Sequence, residues 1–396
     1  MAHSSSEQIR AWQGPALFSF GFRPFFLFGA VWAGIAMLLW IPALSGALTL
    51  PTRLDPVSWH AHAFLFGYLS AVLAGFLLTA VPNWTGRLPI VGWPLAGMFV
   101  LWLAGRVAVL GSALLPVGVA AAIDLAFPIV LGAVILREIV AGKNWRNLVV
   151  LALLAVFTLA NLIFHVEAAS GDYAAQGIGL RLGLATAVMM IAVIGGRIVP
   201  SFTRNWMVHE GKDARPTPPM QRFDKLVLVA SVAGLLSWVL RPESFGVGVT
   251  LLALGALHLA RLVRWQGYRT GAEPLVWVLH AAYAFIPLGA GAIGLAILLP
   301  DLFPALPAQH LWMAGAIGAM TLAVMTRATL GHTGQNLHAG SATLAIYLAL
   351  FGAVLTRVFA GGAPILYQVS GVLWILAFGG FAVAYGPLLL RRKKAD

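Results

Sequence analysis

Cysteine is absent from the 396 residues. That excludes disulfides, thiolate metal sites, iron–sulfur clusters and a cysteine nucleophile, so any metal must be held by His, Met, carboxylate or backbone oxygen. Charge is scarce as well: Asp, Glu, Lys and Arg make up 10% of the chain, against about 25% in soluble domains. The acidic residues are the rarest, 13 against 25 basic ones. No convincing internal repeat is evident, which gives an inverted-repeat transporter plan no support. The first ten residues lack the apolar stretch of a cleavable signal, so the first apolar run is expected to act as an uncleaved anchor.

What is present is apolar. Hydrophobic residues make up 60% of the chain and mean hydropathy is +0.89, a balance that names lipid as the solvent. Runs bounded by Pro, Gly or charge predict helices at 24–46, 57–81, 93–112, 116–137, 146–168, 177–199, 224–241, 245–263, 274–299, 309–328, 340–360 and 366–390. The expected fold is an all-α, polytopic membrane helix bundle of about twelve transmembrane helices. It forms one transmembrane domain over 1–396, with halves 1–200 and 224–396 joined by a Pro-rich cytoplasmic loop, 201–223.

The net charge of +12 is topological and calls for no nucleic-acid partner. With the N-terminus inside, twenty Lys and Arg fall on cytoplasmic segments. Only Arg53, Arg106, Arg181, Arg241 and Arg357 fall on the outer side. A missed helix would invert every later loop, so this bias supports twelve spans with both termini cytoplasmic. Trp59, Trp84, Trp145 and Trp312 read as interfacial anchors.

Ionisable groups within spans are rare and usually face the bundle interior, so the depth of the histidines is informative. His60, His62, His165 and His310 share an outer layer on three helices. His258, His280 and His332 form a looser inner layer, with His338 in the following loop; His3, His209 and His338 read as solvated. His310 and His332 bracket one helix and stand roughly 33 Å apart, so they cannot serve one centre. His60 and His62 differ by about 200° of helical rotation, which suits two adjacent centres better than one chelate. Imidazole suits haem iron and copper, and Met313, one turn after His310, offers a soft copper ligand. For a lone histidine the ordinary role is a hydrogen bond between helices; four at one depth make a metal or haem site an equal contender.

Among carboxylates Asp124 is the exception, about eight residues inside the fourth span. Arg106 precedes the intervening turn by about as many residues as Asp124 follows it, so the two should pair. An ion pair is the expected role of Asp124. The sharper alternative is a proton relay to a redox site, for which Tyr283 is a second candidate. Arg197 and Arg327 are explained by topology, with pairing to haem propionates as the alternative.

Several segments resemble the NnrS family of bacterial membrane proteins. They are Gly21-Phe22-Arg23-Pro24-Phe25-Phe26, Trp59-His60-Ala61-His62, the run from Gly75 to Gly86, the run from Gly195 to Thr203, and the run from Met325 to Gly334. The resemblance covers essentially the whole chain. It implies a twelve-helix protein of the bacterial cytoplasmic (inner) membrane, containing haem and copper and linked to nitric oxide metabolism and nitrosative stress. One departure stands out: the family pattern continues the His-x-His with Glu, where this chain has Ala63.

The favoured expectation is a haem–copper protein that binds nitric oxide and, in its stronger form, reduces or detoxifies it or removes nitrosyl species. The cofactor-binding candidates are His60, His62, His165, His280, His310, His332, Arg197 and Arg327; those for metal are His60, His62, His165, His310 and Met313. Flavin and dinucleotide fingerprints are lacking, so electrons must come from another carrier, quinol being one class. Whether the chain is an enzyme stays open. The alternatives are a secondary transporter of a metal, haem or small solute, and an assembly factor for a respiratory complex.

Overall fold

The computed structural model describes residues 11–213 and 215–392. His3, Arg10, Lys393 and Lys394, used in the sequence reading, lie outside the described residues. Among the described residues, twelve helices are long and apolar enough to cross a membrane. The first six are α1 (Phe22–Leu44), α2 (Pro56–Thr85), α3 (Trp93–Leu110), α4 (Val119–Ala141), α5 (Trp145–Ala169) and α6 (Ile178–His209). The second six are α7 (Arg222–Leu240), α8 (Phe245–Arg269), α9 (Pro274–Leu298), α10 (Ala305–Thr333), α11 (Ser341–Val358) and α12 (Pro364–Leu390). Among the described residues there is no strand.

Helices α2, α6 and α10 all run on past their expected ends, α6 by ten residues. The sequence reading stops α2 at 81 and α6 at 199, each immediately before a proline, yet both helices continue through Pro82 and Pro200. Proline is tolerated in a membrane helix because hydroxyls and neighbouring groups take up freed carbonyls. Thr85 Oγ1 donates to Val81 O (2.8 Å), and Thr203 Oγ1 to Val199 O (2.8 Å), the carbonyls just before each proline; those the prolines themselves free belong to Leu78 and Gly196. The connector between α6 and α7 is accordingly shorter than the expected 201–223.

These three helices share further features. They are the longest, 30, 32 and 29 residues, and the most enclosed, 83%, 78% and 67% buried against 33–56% for the other nine. Each contains a wide π-helical turn: Ala63–Tyr68, Ile191–Gly195 and Leu311–Ala319. Each has in its last third a threonine whose hydroxyl returns to the carbonyl four residues back, at the final residue in α2 and α10 and six residues before the end in α6, Thr333 to Thr329 (2.7 Å) completing the set. Val81-Pro82-Asn83-Trp84-Thr85 and Val199-Pro200-Ser201-Phe202-Thr203 match at five positions by identity or class. An inner helix thus recurs at every fourth span. The sequence reading found no repeat because the likeness is confined to these short stretches.

The chain forms two compact units. The first takes the chain up to Gly183, Ala328–Gln335 and the stretch from Phe378; the second takes Leu184–Arg327 and Asn336–Ala377. In the first unit the π turn of α2 turns carbonyls outward, where tryptophans use them. Trp32 Nε1 donates to Ala63 O (2.9 Å) and Trp102 Nε1 to Gly67 O (3.0 Å). Trp59 is fully buried beside Ala36, Ala63 and Val109. In the second unit Trp312 is equally buried and donates to Ile286 O (3.0 Å). Neither side chain is an interfacial anchor; each indole fills the space against a widened turn. Trp145, 56% exposed, fits that role.

Arg23 and Arg261, counted above as orientation signals, are buried as well. Arg23 Nη1 donates to the carbonyls of Leu389 (2.9 Å) and Arg391 (2.8 Å), closing the C-terminal end of α12.

Candidate metal centre

Four helices of the first unit converge on Asp124, which is 1% exposed on α4. From α3, Arg106 Nη2 donates to Asp124 Oδ1, the pairing expected from the hairpin. From α2, His62 Nε2 stands 3.1 Å from Asp124 Oδ2. From α5, Asn161 Nδ2 donates to the same oxygen (2.8 Å) and His165 Nε2 lies 3.0 Å from it. Asn161 and His165 are four residues apart, so one helical face carries both. Asn161 is missing from the sequence reading, although its spacing from His165 is the signal that finds it.

Local structure makes this convergence. His62 is the last residue before the π turn of α2, and such turns recur at functional sites. Gly67 in that turn admits the Arg106 guanidinium, which a β-carbon would overlap. Gly105 lets α3 approach α4, since a β-carbon there would come 3.0 Å from Asp124 Oδ1.

The hydrogen bonds fix protonation. Asn161 donates through Nδ2, so its Oδ1 is an acceptor and His62 Nε2, 3.1 Å away, carries hydrogen. His62 Nδ1 then bears a lone pair, is buried and has no partner. The nearest rings to His62 are Phe66, Phe164 and His165. His165, with 11% of its side chain exposed, is the one open edge of the trio.

Chemically, two imidazoles and a carboxylate are a donor set for copper, zinc or iron(II). The three ligand atoms lie within 4.8 Å of one another. Their 3.0 and 3.1 Å separations from Asp124 Oδ2 match ligands held at about 2.1 Å from a common ion at somewhat over 90°. The residues therefore fit a metal, bound once each imidazole carries its proton on Nδ1 and turns the Nε2 lone pair to the ion.

The same bookkeeping sorts the other histidines. His60, in the first unit, stacks on Trp40 (4.3 Å between centroids) and contacts Phe64, so its ring leaves that of His62, as their spacing predicts. His332 lies against Phe20 and Phe22. In the second unit His258 has both nitrogens engaged. Ser231 Oγ donates to Val227 O (2.6 Å) and so accepts from His258 Nε2 (2.9 Å), while His258 Nδ1 accepts from Tyr283 (2.9 Å). His280 Nε2 donates to Thr203 Oγ1 (2.7 Å); its Nδ1 is unpartnered, but Gly267 packs against that edge of the ring. His310 Nδ1 donates to Leu306 O (2.8 Å), which leaves Nε2 as the lone-pair nitrogen. His338 is exposed, as expected, and also meets Glu273 Oε2 (2.7 Å).

Of the remaining candidates, Met313 lies in the π turn of α10, and Arg327 rests on the Phe202 ring (4.3 Å). Arg197 offers its carbonyl to Ser201 Oγ (2.7 Å). Tyr283 accepts from Arg261 Nη1 (2.9 Å), and Arg261 Nε donates to Asp224 Oδ1 (2.7 Å). Asp224 was overlooked in the sequence because it sits at a helix start, where a carboxylate is an ordinary capping residue; here it both caps α7 and pairs with Arg261.

Fold and site together define a multi-pass membrane protein with a buried histidine–carboxylate cluster. The chain belongs to the NnrS family, whose model, described as NnrS protein, matches residues 16–393. No curated protein matches the sequence.

Proposed function

We propose that this chain is a metalloprotein of the bacterial cytoplasmic membrane, with both termini cytoplasmic, that binds copper through His62, Asp124 and His165 and acts on nitric oxide there. The observation that carries the reading is the approach of two imidazole Nε2 atoms, from separate helices, to one buried carboxylate oxygen at 3.0 and 3.1 Å. Copper is chosen among the metals that suit the donor set by the family resemblance. Haem is the second cofactor of the reading. His310 is its candidate ligand, because a backbone carbonyl fixes the Nδ1 proton and orients the ring.

Bound copper would supply a one-electron centre able to ligate a small uncharged gas. The protein's own part is to hold and shield. Asn161 and Arg106 orient Asp124, Phe66 and Phe164 keep water from His62, and His165 forms the side open to entry. Nitric oxide can arrive from lipid, and quinol is the electron donor class at hand. Secondary transport with Asp124 coupled to protons is disfavoured, because four donors already occupy its two oxygens.

Metal analysis and absorption spectra of detergent-purified protein test this. His62→Ala and His165→Ala should each lose at least about nine-tenths of the copper and keep the haem band, whereas His310→Ala should do the reverse. Unchanged copper in both of the first two variants would end the assignment.

A further inference from the structure

The charges around Asp124 carry the reading of this centre a step further. Arg106 and Asp124 are 3% and 1% exposed and form an ion pair, so with neutral imidazoles the cluster has no net charge before a metal enters. A divalent ion would leave two uncompensated positive charges among buried apolar groups, a few ångströms from a guanidinium that cannot lose its proton. Arg106 also has a buried Nε with no acceptor. A metal site enclosed by protein normally carries enough negative ligands to offset the ion, and here the only carboxylate is already neutralised.

The arginine–aspartate pair of the second unit makes the contrast. Arg261 and Asp224 are equally buried, but the one histidine bonded into their network, His258, has both nitrogens engaged. That network is balanced in charge and its histidine offers an ion no free nitrogen, although Arg261 Nη2, like Arg106 Nε, has no partner. The Asp124 cluster differs in having two imidazoles that can turn lone pairs to an ion, and a cation beside them that penalises it.

We propose that divalent copper enters the His62–Asp124–His165 centre together with a small monoanion that ligates through oxygen or nitrogen, the nitrite class, whose charge Arg106 offsets. The inference rests on the metal reading given above. The anion must be small, because the trio is open only along the edge of His165. Arg106 is then the residue that selects for the anion. Its guanidinium weakens binding of the bare cation and favours the metal–anion pair, with the unengaged Nε–H as a donor within the cluster.

The test is copper(II) affinity of the detergent-purified full chain, with azide and nitrite as probes and perchlorate as a non-ligating control. The copper electron paramagnetic resonance spectrum and the azide-to-copper absorption band serve as readouts. In the unaltered protein, azide or nitrite should raise copper(II) affinity at least about tenfold and change the spectrum, and perchlorate should do neither. Arg106→Gln should bind copper(II) without added anion about tenfold more tightly than the unaltered protein and lose the azide effect. Arg106→Lys, which keeps the charge, should retain it.

Stoichiometric copper(II) binding that ignores azide and nitrite would overturn the proposal, and so would weaker bare-ion binding in a folded Arg106→Gln protein. The anion titration of the unaltered protein decides the matter even if that variant does not fold. Failure of the underlying metal reading looks different: Asp124→Asn and His165→Ala would then bind as much copper(II) as the unaltered protein.

Discussion

Arg106 and Arg261 are single residues whose charge is balanced by one carboxylate each. Burying a guanidinium is tolerable only while its carboxylate is present, and removing one member strands a charge at a cost of about 3–5 kcal/mol. For Arg261, fully enclosed against Asp224, the expectation is that Arg261→Met and Asp224→Asn each lower stability by about that amount, while the double change recovers most of it. Denaturation in detergent, read by helical circular dichroism, checks this; an additive double variant would refute the coupling. The two arginines were unequally legible. Arg106 and Asp124 flank one turn at matched depth, so hairpin geometry announces the pair. Arg261 lies near a helix end, where a basic residue is ordinary, and its partner is 37 residues earlier. The histidines were legible as a set and illegible individually, because His62 and His258 differ only in what their nitrogens meet after packing.

Among the helices, the irregular α2 supplies His62 to the centre, and the regular α3, α4 and α5 supply Arg106, Asp124, Asn161 and His165. The π turn of α2 exposes carbonyls and brings Gly67 against Arg106, and Gly196, the residue after the π turn of α6, packs likewise against Arg261. Adding a methyl group at Gly67 should push the guanidinium off Asp124, with a strain cost of about 1–3 kcal/mol. Gly67→Ala is therefore expected to lower thermal stability and bound copper together. Gly132→Ala, where a β-carbon meets nothing within 4 Å, should change neither. Equal effects of the two substitutions would deny the close approach its role. Hydropathy located all twelve helices, but it misjudged the ends of α2 and α6 by treating Pro82 and Pro200 as terminators. A proline's effect depends on whether nearby hydroxyls and helices satisfy the carbonyls it frees, which is a tertiary property.

At the scale of the whole molecule, alternation of basic and apolar segments made the helix count legible, because each span reverses the side on which the next loop falls. The recurrence of an inner helix at every fourth position was not legible, since packing and helix width mark it more than residue identity. The charge bias also makes a prediction. Reporter fusions in the connector between α6 and α7 and at the C-terminus should behave as cytoplasmic, fluorescent with green fluorescent protein and inactive with alkaline phosphatase. A fusion between α7 and α8 should behave oppositely. Phosphatase activity at the C-terminus would reverse the orientation.

Arg23 grips the carbonyls that finish α12, and Arg392 Nη2 reaches Trp12 O at 3.0 Å. Neighbours this close share one face of any bilayer, so the path between them must cross it an even number of times. Parity thus requires an even number of crossings without reference to hydropathy or charge, which excludes eleven or thirteen, and a short peptide joining the two ends should leave the protein able to fold.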